Sequence, residues 1–245
     1  DRETLPLVME PEKQQAFFSA YVQDFIQSVL KTGKTPLESL DAMPEQYDGY
    51  PVMARVDAGG QVLYQAGPDC AKSLTTDGVT AEAVNACSTL DHTAGSFRIP
   101  GSFLHYDLTR LGWEGADASV TIPVTADLER AAYLQLDLAQ DSGDARNRRQ
   151  DQSLTVTLRD AAGKEASVQV PAGTPALAWQ EGTVESIPVS GREDLLQYST
   201  FTPLGTLRLD TAAFSGVDLG EITQVKLTFD QPSGSIMLRE IQSVN

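Results

Sequence analysis

The feature that most constrains this chain is the alternation of apolar and polar residues in its last third. Leu204-Gly-Thr-Leu-Arg-Leu-Asp, Ile222-Thr-Gln-Val-Lys-Leu-Thr-Phe and Ile236-Met-Leu-Arg-Glu-Ile repeat with a period near two, and turns rich in Gly, Asp, Ser and Pro separate them. Successive strand side chains point to opposite faces, so such runs suit antiparallel strands with one buried and one wet face. The pattern begins upstream. Leu104, Tyr106 and Leu108 alternate with His105 and Asp107, Val120 and Ile122 form a short strand ended by Pro123, and Leu134, Leu136 and Leu138 alternate with Gln135 and Asp137. Leu154, Val156 and Leu158 then lead through the turn Asp160-Ala-Ala-Gly163 to a hairpin partner at Ser167–Val170. Together these make about eight or nine short strands, which predicts a mainly β fold: an antiparallel sandwich of jelly-roll, carbohydrate-module-like form over residues 103–245.

One long helix precedes the strands. Pro11 suits a first helical position, Phe17, Phe18, Tyr21, Val22, Phe25, Ile26, Val29 and Leu30 recur at spacings of three and four, and Gly33 stops the run. Its apolar stripe is wide and calls for a sizeable partner surface. Residues 1–33 are therefore expected to be the edge of another domain. Residues 34–102 read as a linker (34–50, with Pro36, Pro44 and Gly49), a hairpin of 52–57 and 61–65 turning at Ala58-Gly59-Gly60, and a loop between Cys70 and Cys87. Within that loop Val79 to Ala86 suits one or two helical turns.

The sixteen residues between Cys70 and Cys87 suit a local disulfide, the alternative being two free buried thiols. Such a bridge would constrain the unfolded chain by about 3 kcal/mol and would imply an exported protein. The net charge of −16 counts against nucleic-acid backbones and anionic membrane surfaces, and no apolar run approaches the length of a bilayer span. The chain starts at Asp1 without Met and shows no signal peptide, so a fragment or mature product of a longer, extracellular protein is expected.

No catalytic set emerges. The two histidines are His92, in a loop pattern, and His105, in a strand beside Asp107. Ser102, His105 and Asp107 lack the strained nucleophile turn and oxyanion hole that a triad requires. An enzyme in its own right, using His105 and a neighbouring carboxylate, is the third-ranked alternative. Asp137, Asp141 and Asp144, with Asn147 and Asp151, are the candidate oxygen ligands for a structural calcium, although no EF-hand spacing exists. Aromatic rings are what a sugar-binding surface uses. Trp113 reads as core, whereas Trp179, Tyr198 and Phe201 flank a long connection and are the candidates for a ligand edge, against the alternative that they cap the core. A free-standing carbohydrate- or surface-binding module is thus the second-ranked reading.

The segments Asp144-Ala-Arg-Asn-Arg-Arg-Gln-Asp-Gln-Ser-Leu-Thr-Val-Thr-Leu-Arg-Asp-Ala-Ala-Gly-Lys and Leu207-Arg-Leu-Asp-Thr-Ala-Ala-Phe-Ser-Gly-Val-Asp-Leu, with Ile222-Thr-Gln-Val-Lys-Leu-Thr-Phe, resemble the C-terminal region of large secreted bacterial α/β-hydrolases of the lipase/esterase type. In that family a galactose-binding-like sandwich follows the catalytic domain. The helix from Glu12 to Leu30, with its Gln14-Gln15…Ala20-Tyr21-Val22…Phe25 spacing, is similar to the family's closing hydrolase helix. The resemblance is loose between residues 34 and 102. It implies a serine-hydrolase triad upstream, none of it in this chain, and a non-catalytic accessory sandwich whose helix packs on the hydrolase domain.

Overall fold

The computed structural model describes residues 9–87, 91–94, 105–141, 144–179, 197–200 and 204–245. Helix α1 (Pro11–Thr32) starts at a proline and ends at Gly33, whose left-handed backbone (φ 72°) lets its N–H reach the Val29 carbonyl at 2.9 Å. No helix among the described residues is long and apolar enough to cross a membrane. The strands are β1 (Gln46–Tyr47), β2 (Tyr50–Pro51), β3 (Gln61–Gln65), β4 (Thr75–Asp77), β5 (Val79–Cys87), β6 (Asp91–Ala94), β7 (His105–Glu114) and β8 (Ser119–Ala126). They continue with β9 (Tyr133–Gln140), β10 (Leu154–Asp160), β11 (Glu165–Val170), β12 (Gln197–Thr200), β13 (Gly205–Asp210), β14 (Ile222–Phe229) and β15 (Ser233–Val244).

Two antiparallel sheets form the sandwich. Sheet I has the order β11-β10-β14-β8-β4, and sheet II has the order β13-β9-β15-β7-β5 with β3 also paired to β15. Strands β1 and β2 form a separate hairpin, as do β6 and β12 a separate ladder. The chain passes back and forth between the sheets, so neighbours in space are distant in sequence. The inner faces interdigitate: Val120, Ile122, Leu154, Val156, Leu158, Val225, Leu227 and Phe229 of sheet I meet Leu111, Trp113, Leu134, Leu136, Leu138, Ile236, Leu238 and Ile241 of sheet II. The antiparallel sandwich and the hairpin at Asp160–Gly163 match the alternation in the sequence.

Several local expectations are corrected. Strand β8 runs through Pro123, which sits beside an irregularity in its pairing with β14, where a missing N–H is tolerated. Residues 79–87 form β5, paired along its length with β7, and are not helical turns. The non-local ladder overrides the helical preference of its alanines and glutamate. Residues 52–57 do not form a hairpin with 61–65. Residues 61–65 pair with β15, while the Ala54 carbonyl accepts the Thr206 N–H at 2.9 Å beside β13. The sheets also begin before residue 103, since β3, β4 and β5 belong to them.

The disulfide between Cys70 and Cys87 is not formed: Cys70 is a free thiol. Its Sγ lies 2.9 Å from the Thr109 hydroxyl and 2.8 Å from the Gly67 carbonyl. Thr109 pairs with Ala83, and Cys87 pairs with His105 four residues further along the same ladder. At ~3.3 Å per strand residue that places Cys87 about 13 Å along the ladder from Cys70's contact, beyond the ~7 Å Cα separation a bridge tolerates.

Candidate functional site

The outer face of sheet I carries the expected wet side chains, among them Thr121, Thr155, Arg159, Gln169 and Lys226. Sheet II differs. Its strand registers place Gln135, Asp137 and Ala139 of β9, Thr206 and Arg208 of β13, and Met237, Glu240 and Gln242 of β15 on the outer face. Most of these are buried, so β9 is covered on both sides. Over Gln135, Asp137, Thr206, Arg208 and Gln242 the cover is the chain's own connection between α1 and β3, whereas Ala139 and Met237 pack with Leu108 and Leu204.

Hydrogen bonds fix that connection. Arg55 pairs with Asp137 at 3.1 Å, and Asp137 also accepts from the Thr206 hydroxyl at 2.7 Å. The Val56 N–H donates to Thr206 Oγ1 at 3.1 Å, and the Val56 carbonyl accepts from Gln135 at 2.9 Å. Gly60 N–H reaches Gln242 at 2.9 Å. Arg208 donates to Gln135 at 3.0 Å and to the Leu40 carbonyl at 2.6 Å, and it lies 5.4 Å from the centre of the Tyr133 ring. Tyr133 in turn donates to Asp41. Residues 34–50, expected as a linker, are thus anchored in part to the sandwich.

The anchored connection carries the β1–β2 hairpin, whose turn is Asp48-Gly49 with both φ angles positive, the geometry that Asp-Gly favours. Phe17 of α1 packs edge-on against Tyr47 and Tyr50 at centroid distances of 5.4 and 6.0 Å, and Tyr21 against Tyr47 at 5.6 Å. Tyr47 donates to Asp24 at 2.6 Å, and that bond, foremost, raises its phenol to about 12. One side of α1 is therefore held. Phe18, Val22, Phe25, Ile26, Val29 and Leu30 remain exposed, Phe18 at 68% and Leu30 at 80%. Phe18, Val22, Phe25 and Val29 repeat at steps of four, three and four, the seam by which one helix packs on another.

The candidate metal ligands do not converge. Asp137 is bound by Arg55, Asp141 by Arg110 at 2.9 Å, and Asp144 by Arg146. Asp137 lies in β9 and Asp141 just past its end, about 13 Å further along the chain direction, too far for one ion whose ligand oxygens lie within ~2.6 Å of it. Among the described residues no group of three His, Cys, Asp or Glu side chains is placed to hold a metal. Arg146, held by Asp144, also lies against sheet II. Its guanidinium lies on Gly112, 2.1 Å from where a Cβ would stand, so a side chain there would have to displace it.

Of the candidate ligand aromatics, Trp179 lies partly exposed at the end of the sandwich. Its N–H donates to Asp151 at 2.7 Å, and its buried indole nitrogen has no partner among the described residues. The backbone of Tyr198 pairs with His92 across β12 and β6, while its side chain, Phe201, Ser102 and the side chains of His92 and His105 lie outside the described residues. Trp113 is core, as its alternation suggested.

Burial raises Asp137 above the ordinary 3.8, against hydrogen bonds from Thr206 and Arg55 and with the help of Asp57. Burial likewise raises Glu240 above 4.5, reinforced by Asp137 and Asp57. Asp144 is held below 3.8, because hydrogen bonds from Arg146 outweigh its burial. A carboxyl raised by folding favours the fold below its unfolded value and loses that contribution as pH rises through the folded one; a lowered carboxyl does the reverse. As pH falls toward their ordinary values of 3.8 and 4.5, protonation of Asp137 and Glu240 is therefore expected to favour the fold, and below 3.8 the Asp144 contribution is lost. Asp137→Asn should reduce the gain on acidification, as read from melting temperatures of the two proteins across pH. An identical pH dependence of melting temperature in the variant and the parent would contradict this assignment.

No family model matches the sequence. No curated protein matches it either. Solved structures that it resembles include an exo-beta-agarase (13% identity, TM-score 0.41, over 74% of this chain and 24% of that one) and the agarase AgWH50C (11%, 0.39, 76% and 26%). Another is a family 11 carbohydrate-binding module from Clostridium thermocellum, in complex with a beta-1,3-1,4-mixed-linked tetrasaccharide (9%, 0.36, 71% and 89%). The chain spans about a quarter of each agarase. At these identities and TM-scores the likeness carries no argument about ligand or activity.

Proposed function

We propose that this chain is a non-catalytic accessory β-sandwich of a secreted hydrolase, with α1 packed on the catalytic domain. The exposed apolar stripe of α1 carries this reading. Six large apolar side chains on one side of an exposed helix form the kind of patch that marks an interaction surface. The connection anchored on sheet II supports it further, since Arg55, Arg208 and the Tyr47 and Tyr50 contacts hold the helix to the sandwich. A domain docked on α1 would be fixed relative to the sandwich as well, which suits a module that steadies an enzyme or orients it on substrate. The parent is a serine hydrolase of the lipase/esterase type, as the sequence resemblance implies. The test is hydrogen exchange of residues 11–32 in the isolated chain and in the intact native protein. Slower exchange by more than tenfold in the intact protein supports docking; equal exchange in both removes it.

Carbohydrate binding by the sandwich itself is the second reading, favoured by the partly exposed Trp179 at its end. Calorimetric titration with neutral polysaccharides should then give binding that Trp179→Ala weakens by about tenfold, the order of an aromatic contact worth 1–1.5 kcal/mol. No heat across sugar classes would end this reading.

A further inference from the structure

We propose that the exposed arginines Arg148 and Arg149, together with Trp179 at the end of the sandwich, form a site for an anionic sugar residue, one that carries a carboxylate or a sulfate ester. The site rests on the carbohydrate reading of Trp179 and deepens it by giving the sugar a charge. Both arginines have a left-handed backbone, with φ 51° at Arg148 and 54° at Arg149. Residues with a side chain seldom adopt it, and it persists where the surroundings impose it, most often at functional positions. Here buried Asn147 imposes it. Its amide donates to the carbonyls of Asp141 and Ser235, and its side-chain oxygen accepts from the Ser235 N–H at 2.9 Å. On the other side of the turn the Gln150 N–H donates to the Asn147 carbonyl at 2.9 Å, and the Gln150 carbonyl accepts from buried Gln140 of β9. The turn is thus pinned to sheet II, while Arg148 and Arg149 themselves are exposed.

Neither arginine has an ion-pair partner among the described residues. The neighbouring carboxylates are committed elsewhere: Asp141 to Arg110, Asp144 to Arg146, and Asp151 to the Trp179 N–H at 2.7 Å. The bond to Asp151 also places the ring. With the Gln152 N–H donating to the Leu177 carbonyl at 2.8 Å, it runs residues 150–152 beside 177–179 and holds a partly exposed indole next to the arginine turn. Two residues of chain separate Arg149 from Asp151, at most ~7 Å between their Cα atoms. An aromatic face takes the apolar face of a sugar ring, and the guanidinium fork matches two oxygens of a carboxylate or sulfate. The net charge of −16 does not oppose this, since exposed charges more than about 8 Å apart are largely screened at physiological salt.

Calorimetric titration of the chain with dextran, dextran sulfate and carboxymethyl-dextran, and with hydroxyethyl-cellulose and carboxymethyl-cellulose, provides the test. At least one anionic polymer is expected to bind roughly tenfold or more tightly than its neutral counterpart, and the sulfate and carboxymethyl arms identify which anion the site takes. Arg148→Asn with Arg149→Asn, where asparagine tolerates the left-handed backbone, should bring that affinity down to the neutral level without lowering the melting temperature. Trp179→Ala should weaken the charged and neutral forms alike, by about tenfold. Equal affinity for charged and neutral polymers, lost with Trp179 alone, overturns the proposal and leaves the carbohydrate reading standing. Binding of the anionic polymer that ignores Trp179 is general charge attraction and also overturns it, and no binding to any polymer ends both. If the double variant fails to fold, salt decides: a fall in anionic-polymer affinity of about tenfold or more between roughly 0.05 and 0.5 M salt supports the arginine pair, and a flat profile overturns it.

Discussion

Truncation of Trp113 to alanine is expected to lower the stability of the sandwich by about 3–5 kcal/mol, a large part of the ~5–15 kcal/mol typical of a whole domain. Trp113 belongs to β7 of sheet II and stacks on Phe229 of β14 in sheet I, with ring centroids 3.9 Å apart and planes 9° apart. Its indole N–H donates to the Gln231 carbonyl at 2.9 Å. The ring also fills the space above Gly234, where a Cβ would stand 2.4 Å from it. The substitution therefore opens a cavity between the sheets, breaks the stack and leaves a carbonyl without its donor. Trp113→Phe keeps most of the apolar volume and should cost roughly half as much. Urea unfolding of the two variants measures both values. A loss below about 1 kcal/mol for Trp113→Ala would mean that this ring does not join the sheets.

The second large effect concerns association. Phe18→Glu with Ile26→Glu puts two carboxylates into the exposed stripe of α1. Both positions face solvent in this chain, so its melting temperature should change little. Docking of the hydrolase domain should fall by at least roughly hundredfold, because each buried carboxylate without a partner costs several kcal/mol and 1.4 kcal/mol is a factor of ten. Lys13→Gln and Lys31→Gln, exposed on the opposite side of the same helix, change the net charge by the same amount, serve as the control and should weaken docking far less. Binding of the separately expressed catalytic domain, measured by calorimetry, distinguishes the two pairs. Equal affinities would show that the stripe is not the contact surface.

The sandwich was legible in the sequence where one face of a strand is buried and the other is wet. Strand β14 alternates between buried and partly exposed residues along Ile222–Phe229, and its pairing with β10 follows. Strand β9 has the same alternation of leucine with Gln135 and Asp137, yet both of its faces are covered. The sequence pattern cannot show this, because the polar side chains on the covered face are buried by long-range bonds to Arg55, Val56 and Arg208, which is 73 residues from Gln135. For the same reason residues 34–60 looked like a linker and a local hairpin: their partners lie on β9, β13 and β15. Asp48-Gly49 was a readable signal for the small hairpin that carries the helix contacts. The buried Arg208 stood in the alternating run Leu207-Arg-Leu-Asp, where an outward arginine looks solvated. Only the fold shows that its guanidinium is enclosed and keeps one nitrogen without an acceptor among the described residues. The helix and its stripe were legible in full, since a period of 3.6 needs no knowledge of distant segments.

The most direct test of the accessory role is the intact mass and N-terminal sequence of the native protein. The expected result is one polypeptide that continues upstream of residue 1 through a hydrolase domain with a Gly-x-Ser-x-Gly nucleophile turn, its last helix being α1. A native protein that begins at or within a few residues of Asp1 and purifies with no hydrolase bound would contradict it.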